Sequence, residues 1–302
     1  MRKTLKWTGV VVGCLIGAML LVILGLYAAG QMRLNMVYDV PIREVALPDD
    51  PESLAEGKRI FQYRGCEACH GEELEGLVYM DNPALGKVIT PNLTAGPGGI
   101  GDERTDEDLV HAIQHGIRPD GTPLLFMPST EFYYLNDADM GKILVYIRSL
   151  PPVDNETLPS ELSFTGFVIM NLVKGITFLP AELIPHDASR PGVPEPGLTA
   201  EYGQYLALSC LVCHGIGLSG GEIPTFPAEW PAAPNLTSGS ASRLPSWGES
   251  GFIDFIRDGQ KHGRVISDAF MPWTSYRHMT DDELRAVYLY LMSVHPEDFG
   301  NH

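Results

Sequence analysis

The sequence predicts a mainly α-helical protein, in which an N-terminal transmembrane helix is followed by two similar helical domains in tandem. Three observations support this fold class: an uncharged run from Trp7 to Gln31, helical spacing of apolar residues in both halves, and two copies of Cys-x-x-Cys-His, at 66–70 and 210–214. The 24 prolines and 32 glycines indicate that long, shaped loops separate the helices.

The first segment is predicted to be a membrane anchor over residues 1–31. The apolar run is long enough to cross a bilayer as a helix, whereas the apolar part of a cleaved signal peptide spans only about 7–15 residues. Arg2, Lys3 and Lys6 precede the run. By the positive-inside rule, the N-terminus is therefore expected in the cytoplasm and everything after about residue 32 outside it.

Two other interpretations of this segment stay open. Residues 27–30, Tyr-Ala-Ala-Gly, have the small side chains of a signal-peptidase site, and cleavage after Ala28 or Ala29 would remove the anchor. Residues 12–14, Val-Gly-Cys, resemble a bacterial lipoprotein site. The residues after Cys14 stay apolar for a dozen positions, however, which suits a membrane span better.

The remainder of the chain repeats itself at an almost constant offset. The motif at 66–70 recurs 144 positions later, and Pro-Asn-Leu-Thr at 91–94 recurs 143 positions later at 234–237. We interpret this as a tandem duplication. The expected segments are an anchor at 1–31, a first domain at 51–150, an interdomain linker at 151–197 and a second domain at 198–302.

Each half is expected to contain three short helices. The last is the clearest, because Asn136 and Thr280 are N-cap residues with an acid three positions later. Three short helices in roughly 100 residues bury too little surface for an independent core, so we expect a bulky apolar cofactor inside each half. The predicted runs are Glu56–Tyr63, Asp106–His115 and a helix after Asn136, then Glu201–Leu208, Phe252–Asp258 and a helix after Thr280.

The proline-rich linker contains an apolar run from Phe164 to Leu179. This run is apolar enough for an amphipathic helix. We expect it to pack between the two domains rather than to form a second anchor.

The spacing within the Cys-x-x-Cys-His motif explains why four of the five cysteines come in two pairs. Cysteines three residues apart lie on one face of a helix, so both can attach to the two vinyl groups of one haem. The adjacent histidine then lies under the ring, where one nitrogen can bind the iron while the other donates to a carbonyl. The predicted attachment residues are Cys66, Cys69, Cys210 and Cys213, and the predicted proximal ligands are His70 and His214.

Other uses of Cys-x-x-Cys are a redox disulfide or half of a zinc site. Neither needs the adjacent histidine twice. A zinc site would also require its four sulfur atoms together, and a duplicated domain separates these pairs.

Met127 and Met271 are the predicted sixth iron ligands. Each lies 61 positions after the first cysteine of its motif, and each is followed by a proline that prevents a helix from carrying the sulfur away. Thioether ligation raises the haem potential and leaves no open position for oxygen or peroxide. This combination favours electron transfer.

On these residues the chain resembles a membrane-anchored dihaem cytochrome c built from two class I c-type cytochrome domains. The phrases ITPNLT at 89–94 and GIGDERTDEDLVHAIQHGIRPDG at 99–121 also resemble the cytochrome c subunits of periplasmic alcohol, aldehyde and related dehydrogenases. The resemblance implies the cytochrome c fold and two covalent haem c groups. Such subunits often carry three haems, whereas this chain has two motifs, and residues 259–271 depart from the family pattern.

The implied protein is an electron carrier rather than an enzyme. It would sit in the bacterial inner membrane with its haem domains on the periplasmic side, as a subunit of a larger membrane complex. Its partners would be a dehydrogenase or quinol-oxidising complex as donor and a terminal oxidase or soluble cytochrome as acceptor. The alternative is a dihaem cytochrome c peroxidase-like enzyme, which needs one haem with an open site; methionine at both equivalent positions argues against it.

The formal net charge of -17 argues against a nucleic-acid partner, whose phosphates would be repelled. Two interpretations of the acids stay open. The clusters at 102–103, 106–108 and 281–283 either steer a basic partner or cap helices and keep the surface soluble.

Several other polar residues are singled out by their position. Asn92 and Asn235 are expected near the haem edge, where either a hydrogen-bonding role or simple turn formation is open. His115 and His262 do not correspond in the repeat, so we do not expect them to replace an iron ligand. The histidines expected on the surface are His186, His278 and His295.

Overall fold

The computed structural model describes residues 2–41, 43–173, 178–188, 192–223, 230–261 and 263–300. It confirms a mainly helical fold. As far as residue 172 the elements are α1 (Arg2–Leu34), α2 (Pro51–Tyr63), α3 (Cys66–His70), β1 (Val78–Asn82), β2 (Gly86–Ile89), α4 (Asp106–Val110), a π-helical turn (His111–His115), α5 (Ser129–Phe132), α6 (Asp137–Ser149), β3 (Glu161–Leu162) and α7 (Phe164–Leu172).

The second half follows a 3-10 turn at Pro180–Leu183. Its elements are α8 (Ala200–Leu206), a second 3-10 turn (Ala207–Cys210), α9 (Leu211–His214), α10 (Leu244–Asp258), β4 (Gln260–Lys261), β5 (Arg264–Val265), α11 (Trp273–Tyr276) and α12 (Asp281–Ser293).

Helix α1 has 33 residues, which corresponds to a length of about 50 Å. Among the described residues it is the one helix long and apolar enough to cross a membrane, with a mean hydropathy of 2.7 over its most apolar stretch. None of that stretch is buried against the rest of the chain. These properties suit a membrane anchor or a signal sequence.

The first and last helices of each half cross at a glycine. A Cβ atom on Gly57 of α2 would overlap the carbonyl oxygen of Lys142 in α6, and one on Gly203 of α8 would overlap that of Ala286 in α12. Since any larger residue would push the helices apart, these glycines set the distance between the two helices that frame each half.

The last helices begin as the sequence predicts. The Asn136 side chain accepts a hydrogen bond from the Asp139 amide at 2.6 Å, and the Thr280 hydroxyl accepts one from the Glu283 amide at 3.1 Å. Each bond satisfies an amide that the first helical turn leaves without a partner, so both predicted caps are confirmed.

Other elements differ from the sequence prediction. Strands β1, β2 and β3 form a small antiparallel sheet that no periodicity in the sequence indicated. The predicted middle helix Asp106–His115 changes to π geometry after Val110. Its counterpart α10 begins at Leu244, before the predicted Phe252, and is kinked at Gly248, where φ is +65°.

Helix α7 corrects the expectation for the run Phe164–Leu179. The helix ends at Leu172 and packs against the end of α1 rather than between the two halves: the Tyr27 ring lies 4.9 Å from the Phe164 ring and 5.3 Å from the Phe167 ring. Residues 174–177 of the predicted helix lie outside the described residues. The linker therefore joins the first half to the C-terminal end of α1.

The two halves share one continuous apolar core, with buried residues from α2 and α6 packed beside residues from α8 and α12. Polar contacts also join them. The Tyr205 hydroxyl donates to Asp139 at 2.5 Å, and Arg59 donates to both carboxylate oxygens of Glu283 at 2.5 and 2.8 Å. The halves are therefore packed as one body.

Candidate haem sites

Each Cys-x-x-Cys-His motif lies on a short helical segment that ends at a glycine. In the first half, α3 is flanked by Gly65 and Gly71, whose φ angles are +75° and +88°. In the second half, Gly215 ends α9 with a φ of +78°. Because the backbone is helical across each motif, its two cysteines lie on the same face, and a glycine with a positive φ ends the helix directly after each motif histidine.

The two motif histidines make the same backbone contact. His70 Nδ1 lies 3.3 Å from the Pro91 carbonyl oxygen, and His214 Nδ1 lies 2.7 Å from the Pro234 carbonyl oxygen. A carbonyl oxygen can only accept, so Nδ1 carries the proton and Nε2 keeps its lone pair. Burial also lowers the pKa of His70, which favours the neutral form that a metal ligand requires.

The first motif opens into an apolar cavity. Cys66, Cys69 and His70 line it on one side, and Met127 lines it as well. The remaining walls include Phe61, Leu93, Ile113, Phe132, Ile143 and Ile147. The structure thus brings together all four residues predicted for the first site.

The second motif opens into a larger cavity. Cys210, Cys213, His214 and Met271 all line it. Its other described walls include Leu206, Trp247, Phe252, Ile256, Tyr276 and Leu284. The four residues predicted for the second site are therefore also together.

Both methionines are held in the same tight turn. The carbonyl oxygen of Met127 accepts from the Ser129 amide, and that of Met271 accepts from the Trp273 amide, each at 2.7 Å. The preceding Phe126 adopts a φ of +57°, a costly conformation for a residue with a side chain, and its ring lies 5.0 Å from that of Phe178. The linker therefore helps to fix the loop that carries Met127.

The segment 259–271, where the sequence departs from the family pattern, forms the β4–β5 hairpin. The indole of Trp273 closes it by donating to the Ile266 carbonyl oxygen at 3.0 Å. This different loop still leads Met271 to the second cavity.

Asn92 and Asn235 have equivalent roles that go beyond turn formation. Both are buried, and each accepts from the amide and hydroxyl of the threonine two residues later, at 2.8–3.0 Å. Their amide groups donate across the domain, to the carbonyl oxygens of Val153 and Glu297, both at 2.8 Å. Each asparagine therefore ties the loop that contacts the motif histidine to the segment after the last helix.

The donor set fits haem c. Each cavity offers two thiols, one imidazole and one thioether, inside walls that are otherwise mainly apolar. Burial raises the pKa of both Cys66 and Cys210 to about 12, so the first thiol of each motif stays protonated when it is free.

Sequence reasoning missed Arg64, which lies beside the first motif. Its side chain is 7% exposed and lies between the rings of Tyr63 and Tyr205, 5.2 and 5.1 Å from their centroids. Within the described part of the chain, neither its Nε nor its Nη2 has a hydrogen-bond partner. The one signal in the sequence was the position of Arg64 two residues before Cys66. The repeat gave no signal, because the equivalent residue of the second half is Leu208.

His186 is half-buried at the surface and contacts His115. Its Nδ1 lies 2.9 Å from Nδ1 of buried His115, and its Nε2 lies 3.0 Å from the Ala181 carbonyl oxygen. His278 is half-buried and His295 is exposed, while His262 lies outside the described residues.

A cytochrome c family model matches this chain over residues 54–151 and 200–295. The chain is 26% identical over 272 residues to the cytochrome c subunit of the quinone alcohol dehydrogenase of Gluconobacter oxydans (strain 621H), covering 81% of this chain and 55% of that protein. It is 27% identical to the fructose dehydrogenase cytochrome subunit of Gluconobacter japonicus (80% and 52%) and 27% identical to a diheme cytochrome c-type protein of Cereibacter sphaeroides (81% and 89%). The chain thus spans about half the length of the first two relatives and most of the third.

Proposed function

Because the chain belongs to the cytochrome c family and carries two haem c groups, we propose that it receives electrons from a dehydrogenase at the outer face of the bacterial inner membrane. It is an electron-transfer protein rather than an enzyme. The observation that carries the proposal is that a histidine and a methionine line the same cavity as the paired cysteines in both halves. Two protein ligands on each iron suit electron transfer and leave no position for a substrate.

The proposed roles follow the geometry of the cavities. Cys66 and Cys69 would hold the first haem, and His70 and Met127 would bind its iron. Cys210, Cys213, His214 and Met271 would do the same for the second haem. When bound, each haem supplies a one-electron couple of high potential. The chain's own residues orient the imidazoles through the Pro91 and Pro234 carbonyl groups and exclude water with apolar walls.

The partners are proposed from the relatives. Those named above include cytochrome subunits of alcohol and fructose dehydrogenases, and a gluconate 2-dehydrogenase cytochrome c subunit of Pantoea cypripedii is 27% identical to this chain. A dehydrogenase or quinol-oxidising complex is the proposed donor, and a terminal oxidase or soluble cytochrome is the proposed acceptor. Helix α1 is the proposed single-pass anchor, with both haem domains in the periplasm.

Carbon monoxide binding separates this proposal from a peroxidase-like activity. A ferrous haem with two strong axial ligands does not bind carbon monoxide, whereas a haem with an open or displaceable position does. We expect the spectrum of the dithionite-reduced protein to be unchanged by carbon monoxide. A change corresponding to one haem, together with peroxide-dependent oxidation of the reduced protein, would overturn electron transfer as the function.

A further inference from the structure

The two halves meet across a pseudo-two-fold axis that passes between the haem-attachment motifs. The residue before each motif faces the residue four positions after the methionine of the other half. A Cβ atom on Gly65 would lie 3.8 Å from the Ser275 hydroxyl, and the Ser209 side chain lies beside Glu131. Both pairs are related by the offset of 144, which is the pattern of a symmetric interface.

Polar contacts further out in the interface between the halves follow the same pseudo-two-fold pattern. The acid in the first turn of each last helix accepts from the first helix of the other half: Asp139 from Tyr205, and Glu283 from Arg59. The start of each motif therefore faces the other half. The two haem sites are neighbours across a shared, mainly apolar core.

Arg64 breaks this symmetry by placing a charge between the two sites. It lines the first cavity, and its guanidinium also packs on Tyr205 of the second half. Burial raises the pKa of Cys66 and of Cys210 and is the largest influence on each. The positive charge of Arg64 acts in the opposite direction and lowers the pKa of both thiols. One buried cation is therefore close enough to both attachment sites to act on each of them.

Glu131 supplies the opposite charge on the side of the second site. It lies beside Ser209, the residue before Cys210, and burial raises its pKa to about 7. Its negative charge adds to the effect of burial in raising the pKa of Cys210 and Cys213. The charges between the haem sites are thus distributed unequally.

We propose that Arg64 is the electrostatic link between the two haem sites and raises the midpoint potentials of both haems, while ionised Glu131 lowers the potential of the second haem. Reduction adds one electron to the iron, so a nearby buried cation stabilises the reduced form and a nearby anion destabilises it. The pair therefore sets the difference in potential between the haems, and with it the direction in which an electron moves within the chain. The inference rests on the proposed function only in requiring that both haems are bound.

The test is a spectroelectrochemical titration of the purified holoprotein at pH 8, where Glu131 is ionised. The variants are Arg64→Met, Arg64→Lys, Glu131→Gln and, as a matched control, Arg59→Met. Arg59 lies at the same interface, where it bonds to Glu283 and packs on the Tyr63 ring, but it lines neither of the two cavities. The two transitions are assigned by adding Met271→His, which lowers the second alone.

We expect Arg64→Met to lower both midpoint potentials and Arg64→Lys to restore most of the shift. Glu131→Gln should raise the second potential more than the first, and Arg59→Met should leave both near their wild-type values. The proposal is overturned if Arg64→Met moves one potential or neither, or if Arg59→Met moves both equally, since loosening of the interface would then be the cause. Should Arg64→Met fail to bind two haems, Glu131→Gln decides: an unchanged second potential overturns the inference.

These potentials need no partner protein. Failure of the chain to exchange electrons with a dehydrogenase would overturn the proposed function without altering them. Conversely, unchanged potentials would overturn the role of Arg64 while leaving electron transfer to partners intact.

Discussion

Arg33 and Glu182 form a two-pronged ion pair, with Nε and Nη2 of the guanidinium donating to the two carboxylate oxygens at 2.7 and 2.6 Å. Arg33 is in the last turn of α1, and its Nη1 also donates to the Met170 carbonyl oxygen and to the Asn171 side chain, both at 3.0 Å. One side chain thus joins the end of the apolar helix to α7 and to the segment beyond it. The orientation of the first haem domain relative to α1 depends on these contacts.

Replacing Arg33 with methionine should loosen α7 and the 180–183 turn without unfolding either haem domain. Bidentate charge-assisted bonds are stronger than single ones, but this pair is partly exposed, so we expect a local loss of about 1 kcal/mol. Hydrogen exchange of the α7 amides should become faster, while exchange in α6 and α12 stays unchanged. Equal protection in wild type and variant would show that apolar packing of α7 on α1 is sufficient.

Exchanging either predicted methionine ligand for histidine should change one haem only. Met127→His and Met271→His each replace a thioether with a stronger donor, so the midpoint potential of the affected haem falls and its methionine-to-iron charge-transfer band disappears. Met140 is a suitable control because it is fully buried in α6. Its replacement by leucine should leave the band intact, and a band that survives Met127→His would show that another residue ligates that iron.

The mature protein should keep its N-terminus and require detergent. Helix α1 is apolar over Lys6–Leu34, and its most apolar stretch is not buried against the rest of the chain, so that stretch needs lipid or detergent around it. Mass spectrometry of protein purified from membranes should find Met1 or Arg2 at the N-terminus. A water-soluble chain that begins near residue 30 would show instead that α1 is a cleaved signal.

The His115–His186 contact should make stability fall in mild acid. Burial, followed by the charges of His186 and His111, lowers the pKa of His115 to about 4. His115 of the unfolded chain therefore binds a proton near pH 6.5, whereas His115 of the folded chain stays neutral until about pH 4. The free energy of unfolding therefore decreases as the pH falls from about 6.5 towards 4. Allowing for solvent screening, we expect a loss of about 1 kcal/mol between pH 7 and pH 5.

The matched variant is His115→Asn, which keeps a donor near the position of Nδ1 but does not titrate. Thermal unfolding at pH 7 and at pH 5 should show a smaller difference for this variant than for wild type. An identical pH dependence would assign the loss to other groups.

The reaction with a basic soluble cytochrome should depend only weakly on salt. Within the described residues, Asp106 pairs with Arg148 at 2.8 Å and Asp281 with Arg257 at 2.6 Å, while Asp108 and Glu283 cap their own helices. These acids are already used inside the protein, which leaves less charge to steer a partner. The test is stopped-flow oxidation of the reduced protein from low to high ionic strength, a range that includes physiological salt, where the Debye length is about 8 Å. A steep fall in the rate with added salt would show that the acidic clusters do steer the partner.

The sequence was most informative where the determinant was local. The caps at Asn136 and Thr280 and the helix across each motif depend on residues within one turn, so they could be predicted. The pairing of Lys87 in β2 with Glu161 in β3 joins residues far apart in sequence, so the residues around either strand do not predict it. The position of Arg64 between the two halves could not be predicted for the same reason, because it depends on contact with Tyr205 of the second half rather than on neighbouring residues in sequence.

The pseudo-two-fold packing of the halves is the arrangement that two identical subunits adopt when they pair. In a pair of separate molecules, the encounter of the two cofactors would depend on how much protein is present. Here both copies lie on one polypeptide, so passage of an electron from one to the other becomes a unimolecular event whose rate is independent of dilution. A low abundance of the protein would slow its encounters with other molecules, but not the electron transfer between its own two haems.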